Sequence, residues 1–534
     1  MSAWSDKGRL ELIVIAFCVI AALGLALSGA TSGIGGAQAA KPQDKPDKPD
    51  KPEKVSKGPN IITIVTDDQT LESLRPDTMP NVLGQIGGPG TTFTNAIATT
   101  PLCCPSRATF LTGQYTHNHE VFSNKPGYAT LVNKRSVLPA WLQRAGYVTA
   151  HVGKYLNRYA KAVQPDTEVA PGWDEWVAAL EPRSYFDYRL EVNGRSVKYG
   201  SDDGDYLTRV INWRAIKIIQ KYVPRKPPLY LQIDHFAPHR RGAGDPAQRC
   251  AGGAIPDPLD NTLFDGVALP EQPNFNEQDV SDKPTYIQSL SNITEEERLE
   301  IERRYGCALA SLVAVDRGVV QIFEVLSRIG ELDNTVVMFT SDNGFFNGEH
   351  RIQAEKTIPY EEALRVPLMF RIPDSVLGGH QVPTVDSLVG NIDIAPTILD
   401  LANAKPCLGK KGGCRVMDGR SLLDPMRGNA SAFRGRYLAI EQGVCGYRGA
   451  RNLTEIAVEH LGTRIEETEQ CAPEREYEVY DLFSDPFQLT NLYPGKTPAQ
   501  VQFESELFGQ VELLRDCAGI AGRDPVPPSG HYCQ

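Results

Sequence analysis

Asn60-Ile61-Ile62-Thr63-Ile64-Val65-Thr66-Asp67-Asp68 is the stretch from which the rest of the chain can be read. A β-branched, almost wholly apolar run of this length suits a strand buried on both faces. It stops at two carboxylates. The same pattern recurs three times: Tyr147 to His151 leads to Gly153-Lys154, Leu229 to Asp234 leads to His235 and Ala237-Pro238-His239, and Thr335 to Thr340 leads to Asp342-Asn343-Gly344. Helix-like segments lie between them, among them an amphipathic one at Val137 to Ala145 and a long one at Ala308 to Ile329. Strands alternating with helices predict an α/β fold whose mostly parallel sheet is covered on both faces. Ligands of such sheets bind outside the carboxyl ends of the strands. Carboxylates, a lysine and histidines far apart in sequence are therefore expected to meet in one pocket.

Working outward, Asp67, Asp68, Asp342 and Asn343 form an all-oxygen set, which suits a hard cation such as calcium or magnesium rather than zinc. Each pair taken alone fits a strand-terminal turn or a helix cap equally well. The stretch Cys103-Cys104-Pro105-Ser106-Arg107-Ala108-Thr109-Phe110-Leu111-Thr112-Gly113 reads as a loop entering a helix. Pro105 suits the first turn and Gly113 the end. Cys103 is then placed at the helix N-terminus, where backbone N–H groups favour an anion. Arg107, one helical turn on, keeps its charge at any working pH. A pair of packed or metal-binding cysteines is the alternative, but no second Cys/His cluster offers zinc spacing.

Cys103-x-Pro105-Ser106-Arg107 followed by Leu111-Thr112-Gly113 resembles the signature of the sulfatase family. That resemblance implies that Cys103 is oxidised to formylglycine by a formylglycine-generating enzyme during maturation. Asp67, Asp68, Asp342, Asn343 and the modified Cys103 would hold a divalent ion, calcium with magnesium as the alternative. By the same resemblance Lys154 and Lys356 contact the sulfate and His239 lies near the leaving-group oxygen; the mechanism expected from these groups has Asp342 accept the nucleophile's proton and His239 or Lys356 protonate the leaving group. His117 and His119, in Gln114-Tyr115-Thr116-His117-Asn118-His119, are expected to rim the substrate pocket. Many arylsulfatases carry Gly-Lys-x-His, whereas Gly153-Lys154-Tyr155-Leu156 places a leucine at the histidine position. This form is similar to N-acetylglucosamine-6-sulfatases and extracellular carbohydrate sulfatases, which implies a sulfated sugar as substrate and leaves His239 and His117 as candidates for the base in sulfate release. Family-like segments at Asn391 to Thr397, Asp418 to Leu422 and Tyr480-Asp481-Leu482 extend the resemblance to about Leu492. It implies a large mixed, mostly parallel sheet sandwiched by helices over residues 59–425, and a smaller C-terminal α+β domain over 426–534. Within that smaller domain, Tyr437 to Ile440 and Glu478 to Leu482 are expected as strands and Gln500 to Leu514 as a helix.

The 534 residues carry a formal net charge of −11. No Lys/Arg cluster in the folded part could follow a phosphate backbone, which argues against nucleic-acid binding, and an acidic surface leaves sulfate recognition to a few local cations. Leu12 to Leu27 is an apolar run preceded by Lys7 and Arg9 and followed by Ala37-Gln38-Ala39. It is expected to be a signal peptide over 1–40, with an uncleaved anchor as the alternative; the protein would be secreted or held at the cell surface. Residues 41–58 repeat Lys-Pro-Asp/Glu and are expected to be an extended linker. Of eleven cysteines, Cys18 lies in the signal region, Cys103 is assigned to catalysis and Cys104 is expected to be a packed thiol. The remaining eight suggest four disulfides, sequence neighbours being the simplest of the pairings. No stable protein partner is expected. Two other functions fit the motifs: a phosphonate or phosphate monoester hydrolase of the same superfamily, and an inactive glycan-binding relative. An arylsulfatase of broad specificity would share the chemistry.

Overall fold

The computed structural model describes residues 58–162, 168–179, 184–241, 249–409, 413–462 and 474–534. The expected signal peptide and almost all of the linker lie outside these residues. Ten strands form one sheet: β1 (Asn60–Asp67), β2 (Thr91–Ile97), β3 (Val148–Lys154), β4 (Glu175–Ala179), β5 (Arg189–Val192), β6 (Arg195–Lys198), β7 (Leu229–Pro238), β8 (Thr335–Ser341), β9 (Leu368–Arg371) and β10 (Thr384–Gly390), in the order β10-β2-β9-β8-β1-β7-β3-β4-β5-β6. The sheet is mixed. Its centre is parallel, with β1 between β8 and β7, and β3 beyond β7. Antiparallel pairings come at β9 and towards the β5–β6 edge. The four strands singled out in the sequence are thus four neighbours, and their carboxyl ends share one edge.

Every residue of β1 is buried, as the absence of polar alternation predicts for a strand covered on both faces. Ile61 and Val65 pack on one side with Ala108, Leu138, Trp141 and Ile398. Ile62 and Ile64 pack on the other with Leu207, Ile211, Leu312 and Val315. Each such side chain contributes about 1.5–3 kcal/mol on burial. The helices Cys103–Thr112 (α1), Leu138–Arg144 and Ile394–Leu401 therefore cover one face, and Leu207–Tyr222 and Glu295–Arg328 the other. The last is longer than its apolar periodicity predicts. Thr294 and Glu297 form a reciprocal capping box, which starts the helix more than a dozen residues before Ala308, and Ile301 and Tyr305 seat the added turns in a small core of their own.

A smaller four-stranded antiparallel sheet follows: β11 (Leu438–Gln442), β12 (Tyr447–Arg451), β13 (Glu455–His460) and β14 (Glu476–Asp481). The helix Pro498–Leu514 packs on it through Leu507, Val511 and Leu514. Thr497 caps this helix, Gln500 completes its capping box, and Pro498 is its first residue. Disulfides join Cys250–Cys307, Cys407–Cys414 and Cys517–Cys533, all between sequence neighbours. Cys445 is also disulfide-bonded, and Cys471 lies outside the described residues. Cys104 is a buried free thiol. No described helix is long and apolar enough to cross a membrane.

Candidate functional site

The site is built at the carboxyl edge of β8-β1-β7-β3 and closed by the N-terminus of α1. Cys103 opens that helix and Gly113 ends it in the left-handed region, φ 67°, where a glycine carries no Cβ penalty. Asn124 caps the first turn, its Oδ1 accepting from the Cys104 N–H at 2.9 Å. Lys154 reaches the site because Gly153 lets β3 close on β7. Gly153 has φ 117°, and a Cβ there would stand 1.8 Å from the Asp234 carbonyl oxygen.

The groups meet as follows. Cys103 is 1% exposed, and its Sγ lies 3.5 Å from Asp67 Oδ1 as a hydrogen-bond donor. Arg107 donates from Nε to Asp342 Oδ2 at 2.8 Å and from Nη1 to Asp234 Oδ1 at 3.0 Å and the Lys154 carbonyl at 3.2 Å. Its Nη2 is 3.6 Å from Asp67 Oδ2. Lys154 Nζ pairs with Asp67, and Lys356 Nζ lies 2.6 Å from both oxygens of Asp68. The Asn343 amide donates to Asp68 Oδ1 at 2.7 Å. Asp342 Oδ1 accepts from the Asp68 N–H at 3.2 Å, and the Ser106 hydroxyl donates to the Asp342 carbonyl. His239 Nε2 is 3.6 Å from Asp68 Oδ2, while Nδ1 lies 2.5 Å from the Arg240 carbonyl and donates to it.

Burial dominates the electrostatics, and the neighbours decide its sign. It pushes the Cys103 thiol up to about 12, with Asp67 adding to the rise, so this side chain is no thiolate nucleophile at neutral pH. Burial also raises Asp67 and Asp68, but Lys154 and His239 outweigh it at Asp67, and Lys356 and His239 at Asp68, so both carboxyls end below the ordinary value. Asp342 goes the other way, to about 7, because burial and the negative charge of Asp67 outweigh Arg107. Burial lowers His239 to about 4 against the pull of Asp68. Lys154 and Lys356 both stay protonated, since Asp67 and Asp68 overcome the desolvation of their ammonium groups.

These residues fit a hard divalent cation. Among the described residues of the site, Asp67, Asp68, Asp234 and Asp342 face three permanent cations, Arg107, Lys154 and Lys356, so that negative charge is in excess once Asp342, raised to about 7, ionises. Ligand atoms of Asp67, Asp68, Cys103 and His239 all lie within 4.8 Å of one another. The Asn343 Oδ1 is buried with no hydrogen-bond partner, an acceptor that a cation would satisfy.

The residues predicted from the sequence divide cleanly. Cys103, Asp67, Asp68, Arg107, Lys154, His239, Asp342, Asn343 and Lys356 converge, although Asp67 rather than Asp342 is the carboxylate that Cys103 Sγ bonds. His117 and His119 do not join them, because both rings are used inside the protein. His119 is fully buried; Nδ1 accepts from the Val121 N–H at 3.1 Å and Nε2 meets the Thr109 hydroxyl at 3.0 Å. His117 meets Glu441 through Nδ1 at 2.9 Å and the Cys517 carbonyl through Nε2 at 2.9 Å. Burial lowers the His117 pKa, but Glu441 more than reverses this, to about 9. A raised histidine stabilises most below its unfolded value near 6.5 and loses that stabilisation as pH rises through about 9. Urea unfolding between pH 6 and pH 10 is therefore expected to show a loss of a few kcal/mol that is flattened in His117→Gln.

Sequence reasoning missed Asp234 and His151. Asp234 joins Arg107 to His151, whose Nε2 lies 2.9 Å from Asp234 Oδ2. The only signal was a carboxylate closing an apolar run.

A family model described as Sulfatase matches residues 59–404, and one described as N-sulphoglucosamine sulphohydrolase, C-terminal, matches residues 348–515. The chain is 34% identical over 373 residues to the putative extracellular sulfatase Sulf-1 homolog of Caenorhabditis elegans, a match covering 68% of this chain and 48% of that protein. It is 30% identical over 515 residues to the N-acetylglucosamine-6-sulfatase of Homo sapiens, covering 88% and 87%. A structure solved in complex with its substrate D-glucosamine-2-N,6-O-disulfate superposes with a TM-score of 0.65 at 22% identity, covering 85% of this chain and 97% of that one.

Proposed function

The chain belongs to the sulfatase family of sulfuric ester hydrolases, and from that premise we propose that it cleaves a sulfate ester on a sugar of the N-acetylglucosamine 6-sulfate type. The observation that carries this reading is the meeting of Cys103 with Asp67, Lys154, Lys356 and His239 at one sheet edge. Cys103 is converted to formylglycine by a formylglycine-generating enzyme, and Asp67, Asp68, Asp342, Asn343 and residue 103 hold calcium. When present, the aldehyde would supply, as its hydrate, one hydroxyl oxygen to attack sulfur and a second hydroxyl whose deprotonation lets sulfate leave as the aldehyde re-forms, and the ion would make the attacking hydroxyl more acidic. The protein is exported, and residues 59–425 and 426–534 act as catalytic and supporting domains.

The chain's own groups do the rest. Arg107, tied to Asp67, Asp234 and Asp342, fixes the carboxylates around residue 103 and holds positive charge there. Lys154 and Lys356 offer ammonium groups to sulfate oxygens as charge builds towards the ester oxygen. His239 donates Nδ1–H to the Arg240 carbonyl, so a neutral ring has its lone pair at Nε2, on the Asp68 side. That tautomer makes His239 an acceptor, suited to take the proton when sulfate leaves, and assigns protonation of the departing sugar oxygen to Lys356. His117, with both nitrogens engaged, is not a base here.

Release of sulfate from N-acetylglucosamine 6-sulfate tests the reading. Faster turnover of 4-nitrophenyl phosphate than of 4-nitrophenyl sulfate would place the enzyme with phosphoester hydrolases instead. Metal stripping should remove activity. Calcium added back at a hundredfold excess over its Kd is expected to restore activity and stabilise the fold by about 2.7 kcal/mol, read as a rise in Tm. No shift in Tm would remove the metal assignment.

A further inference from the structure

Beside Asp68 the surface opens into a cleft that the chemistry above leaves unused. It is lined by Arg240 at the end of β7, Gly253, and Arg304 and Tyr305 on the helix Glu295–Arg328, with Asn347 across from them. Arg304 is aimed by Glu300 at 2.9 Å and the Gln353 carbonyl at 3.3 Å. A Cβ on residue 253 would stand 3.4 Å from Arg304 Cγ, so the glycine backbone lies against the arginine stem. Arg240 is exposed, and among the described residues neither its guanidinium nor the Asn347 side-chain amide has a hydrogen-bond partner. The Tyr305 hydroxyl is buried beside Arg75 without a hydrogen bond of regular geometry. Burial lowers the Arg304 pKa against Glu300, and the charges of Arg303 and Arg240 add to the fall.

Two like charges facing one recess are a cost that an oxyanion removes. On a chain of net charge −11, two arginines at one recess are a local concentration of positive charge. We propose that this cleft binds a second oxyanion, a sulfate or carboxylate borne by the same substrate as the sulfate ester that is cleaved. The inference rests on the sulfatase reading and narrows it: the substrate is a sugar or oligosaccharide with at least two anionic groups, not a 6-sulfated sugar whose other substituents are neutral.

The test uses the full-length, matured enzyme and compares kcat/KM for N-acetylglucosamine 6-sulfate with that for three dianionic sugars. These are glucosamine 2-N,6-O-disulfate, N-acetylglucosamine 3,6-disulfate, and the 6-sulfated sugar linked to a uronate. At least one dianion should be preferred about tenfold or more, and the preferred one identifies the anion's source. Arg240→Ala, on an exposed side chain, should reduce that ratio about tenfold, as the loss of a charge-assisted hydrogen bond does. Arg304→Met should do the same and Arg304→Lys should retain part of it. A ratio at or below one for all three dianions, or a preference unchanged in both Arg240→Ala and Arg304→Met, overturns the proposal while leaving the sulfatase reading intact. Absence of sulfate release from all four substrates overturns both.

Discussion

Cys103→Ala is expected to abolish sulfate release, a loss on the order of 10⁵-fold or more, the scale seen when a covalent nucleophile is deleted. The loss is expected in kcat, since Lys154 and Lys356, the groups proposed to hold the sulfate, remain. The fold should hardly notice. Removing one buried sulfur costs about 1 kcal/mol, and the Asp67 carboxylate, which meets Sγ through Oδ1, keeps Lys154 and Arg107 on its other oxygen. Urea titration and sulfate release on the same preparation check both halves. Mass spectrometry of the tryptic peptide carrying residue 103 supplies the chemical test in the wild type, where an aldehyde is expected. Full activity with wholly unmodified Cys103 would sink the mechanism, because burial holds that thiol near 12 and leaves it a poor nucleophile.

Arg107→Met is expected to fail differently, losing stability as well as rate. The side chain is 5% exposed and lies between Asp67, Asp234 and Asp342, none of which is more than 5% exposed. Removing the shared cation strands buried carboxylates, which typically costs about 3–5 kcal/mol. It should also slow turnover by about 10²–10³-fold, the cost of deleting one electrostatic stabiliser from a site of this kind. Asp234→Asn in the same background should recover part of the stability but not the rate, a coupling that a double-mutant cycle measures. An Arg107→Met variant as resistant to urea as the wild type would mean that these carboxylates are not held by Arg107.

Much of this site is legible in the amino-acid sequence alone. A strand's end is marked there by the change from apolar to polar, so Asp67, Lys154, His239 and Asp342 can be named and their common edge inferred from parallel-sheet topology. Gly113 and Pro105 mark both ends of α1 for similar local reasons. What escapes such reading is non-local. Asp234 closes an apolar run like any strand-end carboxylate, and its partner Arg107 lies 127 positions away. His117 and His119 look catalytic because they follow the cysteine stretch closely. Their rings are instead engaged by Glu441, Thr109 and the Val121 and Cys517 backbone, and only packing reveals that. The extra turns of the helix Glu295–Arg328 go unnoticed because charged residues hide a capping box that local chemistry does encode.

The depth of Cys103 carries a consequence for how this molecule comes to be. A side chain 1% exposed at the mouth of α1 cannot be grasped by another protein once β1, β7 and β8 have assembled around it. The proposed conversion at position 103 would therefore have to come early, on a chain that is still open, and competence would become a race between two clocks. Each molecule that closed first would be a stable fold that never becomes an enzyme, and the two populations would look alike by every measure of shape.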